Sequence, residues 1–244
     1  MPSEPKAILI GISGVSSSGK TTLSRLLRDV FPDTFILHED DFYKTDTEIP
    51  YKGDVQDWDC LEAINLPELE KSLDYIKTHG ESPPSLHSKE DSNSVGESGV
   101  DKDRVAELKK QAHALVSGKK QLPIAIIDGF LLFSEDMKAI RDLFDVKLFL
   151  RTDYKTAKTR REARSGYVTL EGFWEDPPGY VDNIVWPNYA KDHAFLFEGD
   201  DVNGKLNEGI CRQLRIESMP KEAQGDMTVC LDWAFDTVQQ YVSK

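Results

Sequence analysis

The chain has 244 residues, 39% of them hydrophobic and 30% charged, which suits one α/β domain with a lid or an insertion and leaves no room for a second full domain. Its 30 Lys and Arg face 43 Asp and Glu, a formal net charge of -13, so the surface as a whole repels nucleic acid and anionic membrane and points to small-molecule partners. Cys60, Cys211 and Cys230 show no C-x-x-C spacing and the five histidines form no cluster, which argues against a disulfide framework or a zinc site.

The first apolar run predicts a buried strand over residues 7–13, and the next periodic segment an amphipathic helix over residues 20–30. Between them stands G-V-S-S-S-G-K-T, residues 14–21. By average residue frequencies such a G-x-x-x-x-G-K-[ST] match arises by chance in a chain of this length with probability on the order of 1%. A glycine-rich turn joining a strand to a helix aims successive backbone N–H groups at phosphate oxygens, with the positive end of the helix dipole behind them. Gly14, Val15, Ser16, Ser17, Ser18 and Gly19 form that loop, Lys20 reaches the β and γ phosphates, the Thr21 hydroxyl is placed to ligand Mg²⁺, and Thr22 completes the nucleotide-binding set.

A strand over residues 34–38 runs into H-E-D-D-F-Y-K, residues 38–44, which sets Asp40 and Asp41 where the chain leaves the carboxyl edge of a sheet. A carboxylate there can take the proton of an attacking hydroxyl or help hold a metal through water. Trp58 and Asp59 follow: an Asp can accept from two ribose hydroxyls, and an aromatic face stacks on a flat heterocycle, more strongly on a cationic one. A helix is expected over residues 66–78. Residues 80–103, rich in Ser, Pro, Gly, Asp and Glu, read as a flexible insertion without catalytic residues, followed by a helix over residues 104–116.

The apolar run I-A-I-I predicts a strand over residues 124–127 that Asp128 closes, the usual place for an acidic Mg²⁺ partner acting with Thr21; Gly129 is expected to leave room for nucleotide. A helix over residues 134–143, a strand over 146–150 and a helix over 154–164 come next. On the last of these Arg160, Arg161 and Arg164 cluster, with Arg160 and Arg164 on one face. In so acidic a chain they suggest a lid that closes over a transferring phosphoryl group, hinged at Gly166, unless they merely pair with Glu162 or Glu171. Tyr167 lies beside them. A short strand is expected over residues 194–197, a long polar connection over 202–225 and a final helix over 227–242. Strands this continuously apolar imply a parallel sheet covered on both faces, a three-layer α/β/α sandwich forming one domain over residues 1–244 with a lid at 160–180.

Several of these stretches together resemble the nicotinamide riboside kinases, in the nucleoside kinase branch of phosphate-loop enzymes. They are I-G-I-S-G-V-S-S-S-G-K-T-T-L from Ile10, H-E-D-D-F-Y-K from His38, W-D-C-L-E-A-I-N from Trp58, I-I-D-G-F-L-L-F from Ile126, R-R-E-A-R from Arg160 and P-P-G-Y-V-D-N-I-V-W-P-N-Y from Pro177. The resemblance implies a phosphate-loop nucleoside triphosphate hydrolase fold and ATP-dependent phosphorylation of the 5'-hydroxyl of nicotinamide riboside, and of nicotinic acid riboside, for NAD synthesis. It also implies roles by position. Asp40 would be the general base, Asp59 would bind the ribose hydroxyls, Trp58 and Tyr167 would enclose the pyridinium ring with Phe42 and Tyr43 nearby, and Arg164 would be the lid arginine. Departures from the family pattern are Asp128 in place of Glu, Trp58 in place of Tyr, a longer lid around F-W-E-D and a longer 80–103 insertion. A uridine or cytidine kinase, and a nucleotide-dependent switch without a small acceptor, remain the other readings. A monomer is expected, in the cytoplasm with the nucleus left open, since no apolar run is long enough to span a bilayer.

Overall fold

A computed structural model describes residues 4–88, 96–116, 121–164, 166–168 and 172–243. Five parallel strands form the central sheet: β1 (Ile8–Ser13), β2 (Thr34–His38), β5 (Ile124–Gly129), β6 (Val146–Phe149) and β9 (Ile216–Ser218), in the spatial order β2-β5-β1-β6-β9. Two short hairpins lie outside it, β3 (Tyr51–Lys52) with β4 (Val55–Gln56) and β7 (Tyr167–Val168) with β8 (Phe173–Trp174). The helices are α1 (Lys20–Val30), α2 (Leu66–His79), α3 (Lys102–Val116), α4 (Lys138–Arg141), α5 (Tyr154–Glu162), α6 (Trp186–His193), α7 (Glu208–Leu214) and α8 (Met227–Val242).

Alternation along the strands sorts the core into two layers, because successive side chains point to opposite faces. Ile10, Ile12, Ile124, Ile126 and Leu148 pack against Leu23 and Leu27 of α1, Leu108 of α3, and Leu231, Phe235 and Val238 of α8. Leu9, Leu37, Ala125, Ile127 and Phe149 pack on the other face against Leu69, Leu73 and Ile76 of α2, Ile140 of α4 and Tyr189 of α6. All six β5 residues are buried, which is why the stretch reads as an unbroken apolar run ended by Asp128 and Gly129.

The strand order positions the site. From central β1 the chain crosses to β2 with β5 between them, while β6 lies on β1's other side, so the sheet reverses its winding at β1. Loops leaving the carboxyl ends of β1, β2 and β5 therefore converge at one crevice, where open α/β sheets bind ligands.

Four expectations need correction. The helix over 134–143 shrinks to α4, because Met137 N and Lys138 N make three-residue turns to Ser134 O and Glu135 O, and the Arg141 guanidinium takes the carbonyls of Phe133 and Ser134. Residues 194–197 are not a strand: Ala194–Leu196 is a 3-10 turn continuing from α6. The stretch 202–225 is no mere connection, since it holds α7, capped by the Asn207 side chain on Ile210 N, and the edge strand β9. The helix over 154–164 stops at Glu162, which leaves Arg164 beyond its end. Residues 89–95 of the insertion, and Glu171, lie outside the described residues.

Candidate active site

The loop after β1 turns sharply because of its backbone. Gly14 has φ 151, and a Cβ there would stand 2.3 Å from Leu150 O, so no side chain fits. Ser17 (φ 65) and Gly19 (φ 100) are left-handed, a pattern that turns loop amides into a concavity at the start of α1. Val15 anchors the loop in the core, and its carbonyl accepts from Lys20 Nζ at 3.1 Å. Burial draws the Lys20 pKa down, opposed by the charges of Asp128 and Asp40, so the ammonium group faces two carboxylates in the crevice.

Residues Glu39–Phe42 make one 3-10 turn at the end of β2. Glu39, which sequence reasoning passed over, is fully buried, and its Oε2 accepts from Phe130 N at 2.6 Å and Leu131 N at 3.1 Å. Burial pushes its pKa up to about 8, so at neutral pH it is mainly the uncharged acid, a polar bolt tying the turn that carries Asp40 to the end of β5. Phe42 points the other way, into the core, and does not line the crevice as a substrate residue would.

Gly129 leaves the space this bolt occupies, since a Cβ on it would sit 2.4 Å from Glu39 Oε2, and it also lines the crevice. Gly129→Ala must push Glu39 off the two amides it holds. It is expected to destabilise the protein by about 1–3 kcal/mol and to lower kcat more than tenfold by disturbing Asp40, checked by thermal melting and steady-state rates.

Asp128 closes β5 directly beside His38 in the β2–β5 register. His38 Nδ1 lies 2.6 Å from Asp128 Oδ1, and Ser24 Oγ donates to Oδ2 at 3.2 Å. Burial raises its pKa, but His38, Lys20 and the Thr21 hydroxyl outweigh burial and hold the carboxyl below its usual range. Thr21 and an ionised Asp128 thus form a hard-oxygen pair beside the phosphate loop. Among the described residues no group of three or more His, Cys, Asp or Glu could hold a metal by itself. The donor set fits Mg²⁺, which takes one or two protein oxygens and completes its shell with phosphate and water.

The arginine cluster divides. Arg161 is 6% exposed and uses all five of its donors. It forks onto Asp59 at 2.9 and 2.9 Å, onto Asp176 at 2.7 and 3.1 Å, and donates to Ser16 Oγ at 2.8 Å. Burial disfavours its charge, yet Asp59 and Asp176 more than offset this and keep its pKa well above the usual value. Arg161 thus ties the phosphate loop at Ser16 to Asp59 and to Asp176 beside β8, and with all five donors engaged it has none left over for the nucleotide-phosphate contact its place in the cluster suggested. Arg160 reaches back to Ser17 O at 3.4 Å, and Arg164 lines the crevice and donates to the Tyr167 hydroxyl at 3.1 Å.

One cavity joins these parts, lined by Lys20, Thr21, Asp40 and Asp128 together with Asp59, Tyr43, Trp58, Tyr167 and Trp174. Trp58 is 4% exposed and held by its backbone N–H on the Tyr180 hydroxyl at 2.9 Å; Asn188 anchors the same stretch through Asp57 and Asp59 O. A second cavity on the far side of the phosphate loop is lined by Ser18, Arg160, Met227 and residues 97–99. The insertion therefore borders the site after all. Trp174 had one signal in the sequence, the unexplained F-W-E-D stretch; Glu39 had none, because its partners are backbone amides 91 and 92 residues away.

No family model matches the chain. Among curated proteins it is 40% identical over 234 residues to the nicotinamide riboside kinase of Schizosaccharomyces pombe, covering 96% of each chain. It is 38% identical over 201 residues to that of Eremothecium gossypii, covering 82% of this chain and 81% of that one. To that of Saccharomyces cerevisiae it is 38% identical over 205 residues, covering 83% and 84%.

Proposed function

The chain belongs to the nicotinamide riboside kinases, and on that premise we propose that it transfers the γ-phosphoryl group of ATP to the ribose 5'-hydroxyl of nicotinamide riboside, giving the mononucleotide for NAD synthesis. The observation that carries this reading is the cavity in which a phosphate loop, the carboxylates of Asp40 and Asp128, and a wall of aromatic and acidic side chains meet.

The loop from Gly14 to Thr22 cradles the donor phosphates, with Lys20 and Arg164 countering the charge that gathers on the transferring group. Asp40 accepts the proton of the 5'-hydroxyl. Asp59 takes the ribose hydroxyls, its carboxylate aimed by the Arg161 fork. Thr21 and Asp128 would hold Mg²⁺, which supplies charge neutralisation at the phosphates when bound. Positioning and electrostatics account for most of the acceleration in such transfers, and an interlocked crevice of this kind supplies both. Trp58 offers an aromatic face to the ring, and a cationic pyridinium gains more from such a face than a neutral pyrimidine does. We extend the acceptor range to nicotinic acid riboside, whose ring carries the same positive nitrogen.

A kinase assay at fixed ATP with nicotinamide riboside, nicotinic acid riboside, uridine and cytidine tests the reading. Higher kcat/KM on the pyridine ribosides is expected; a preference for uridine or cytidine makes the protein a pyrimidine nucleoside kinase. Binding of ATP with no nucleoside phosphorylated would return it to a switch-like role. Among the described residues no helix is long and apolar enough to cross a membrane.

A further inference from the structure

We propose that Trp174, on the lid strand β8, is the second aromatic wall of the acceptor pocket and a determinant of preference for a positively charged ring, while Tyr167 serves the lid arginines. This rests on the function proposed above and adds a residue to its specificity.

The two aromatics differ in what already occupies them. The Arg161 and Arg164 guanidinium carbons lie 5.0 and 5.2 Å from the Tyr167 ring centroid, and the Tyr167 hydroxyl accepts from Arg164. A cationic ring laid on Tyr167 would have to displace guanidinium groups that already lie against it, so the attraction of its face is already engaged by arginine. Among the described residues Trp174 has no such neighbour; its ring contacts are Trp58 at 5.7 Å and Tyr180 at 5.7 Å. Its ring orientation is fixed, because Nε1 donates to Asp176 Oδ1 at 2.9 Å and Asp176 is itself gripped by Arg161.

The geometry also sets how a ligand ring would sit. Trp58 and Trp174 meet at 47° with centroids 5.7 Å apart. Two parallel faces need about 7 Å between them to admit a flat ring, at about 3.5 Å per contact. The indoles therefore form a corner, not a slot: a pyridinium would lie on one indole face with its edge toward the other. Tyr43 backs this corner edge-on, 5.3 Å from Trp58 at 82°. Indole gives the strongest cation–π attraction of the aromatic side chains, and Asp176 behind its N–H enriches the ring in electron density.

The test compares ligands of one shape and two charges: nicotinamide riboside and its reduced form, whose ring is neutral. Dissociation constants are measured by calorimetry for the wild type, Trp174→Ala, Trp174→Phe and Tyr167→Leu, with thermal melting as the check on folding. Trp174→Ala is expected to weaken nicotinamide riboside about tenfold, and at least threefold, and to narrow the preference for it over the reduced form by a similar factor. Trp174→Phe, which keeps bulk and packing, is expected to fall between, and it decides the matter if the alanine variant does not fold. Tyr167→Leu, which removes the aromatic face, is expected to change the ratio of the two constants less than threefold. A smaller effect at Trp174, an equal loss for both ligands, or a larger charge-dependent loss at Tyr167 overturns the assignment. A wild type that phosphorylates uridine and ignores nicotinamide riboside overturns the family-based function instead, and this inference with it.

Discussion

Asp40→Ala is expected to lower kcat on nicotinamide riboside by about three to four orders of magnitude, the upper part of the range for a lost general base, while the affinity for ATP stays within threefold. The two effects separate because of where Asp40 stands. It lines the crevice on the turn after β2, whereas the phosphate loop is built by β1 and α1 and packs without it. The carboxylate lies in the field of Lys20, so proton acceptance occurs close to the charge that steadies the transferring group. Asp40→Asn keeps shape and removes basicity; it should fall nearly as far as alanine. Retention of more than a tenth of the wild-type kcat by either variant would show that the hydroxyl needs no base here and that positioning alone suffices.

Arg161→Ala is expected to be the most damaging single truncation for the acceptor side. The substitution abandons Asp59, 4% exposed, together with Asp176, and leaves Ser16 Oγ without its donor. Removing one partner of a buried ion pair costs about 3–5 kcal/mol, which for a protein of this size lowers Tm by about 6–20 °C. The KM for the riboside should rise more than tenfold, because Asp59 would lose the fork that aims it. Adding Asp59→Asn to Arg161→Ala should recover part of the stability by discharging one orphaned carboxylate, and none of the turnover. Full additivity of the two losses in such a cycle would mean that the fork observed between them has no energetic content.

What could be read from the amino acids alone follows the range of the forces involved. The phosphate loop and the bounds of α1, β2 and α8 are local properties, written in glycine spacing, apolar period and capping residues, and they stand where expected. That Asp40, Thr21 and Asp128 meet in one crevice was legible because each sits at a strand end or loop whose place follows from the topology. The division of labour among the arginines was not legible, since Arg161 meets Asp59 across 102 residues and nothing near Arg161 announces it. β9 was missed for a similar reason: three residues in a polar stretch become a strand only by pairing with Lys147, Leu148 and Phe149. Phe42 shows the reverse error, in which a motif position implied a ligand contact and packing assigns the side chain to the core.

The placement of β1 has a consequence for how the chain reaches its fold. The strand pairs with β5 through Ile8 and Ile124 and with β6 through Ile10 and Val146, and with no strand nearer in sequence. On the ribosome it therefore emerges long before either neighbour exists, an apolar segment with both edges open while well over a hundred residues follow. Such non-local pairing slows folding and exposes strand edges to aggregation. β1 is thus made before both strands that secure it, and a chain interrupted before residue 124 would carry its phosphate loop on an unpaired, sticky strand.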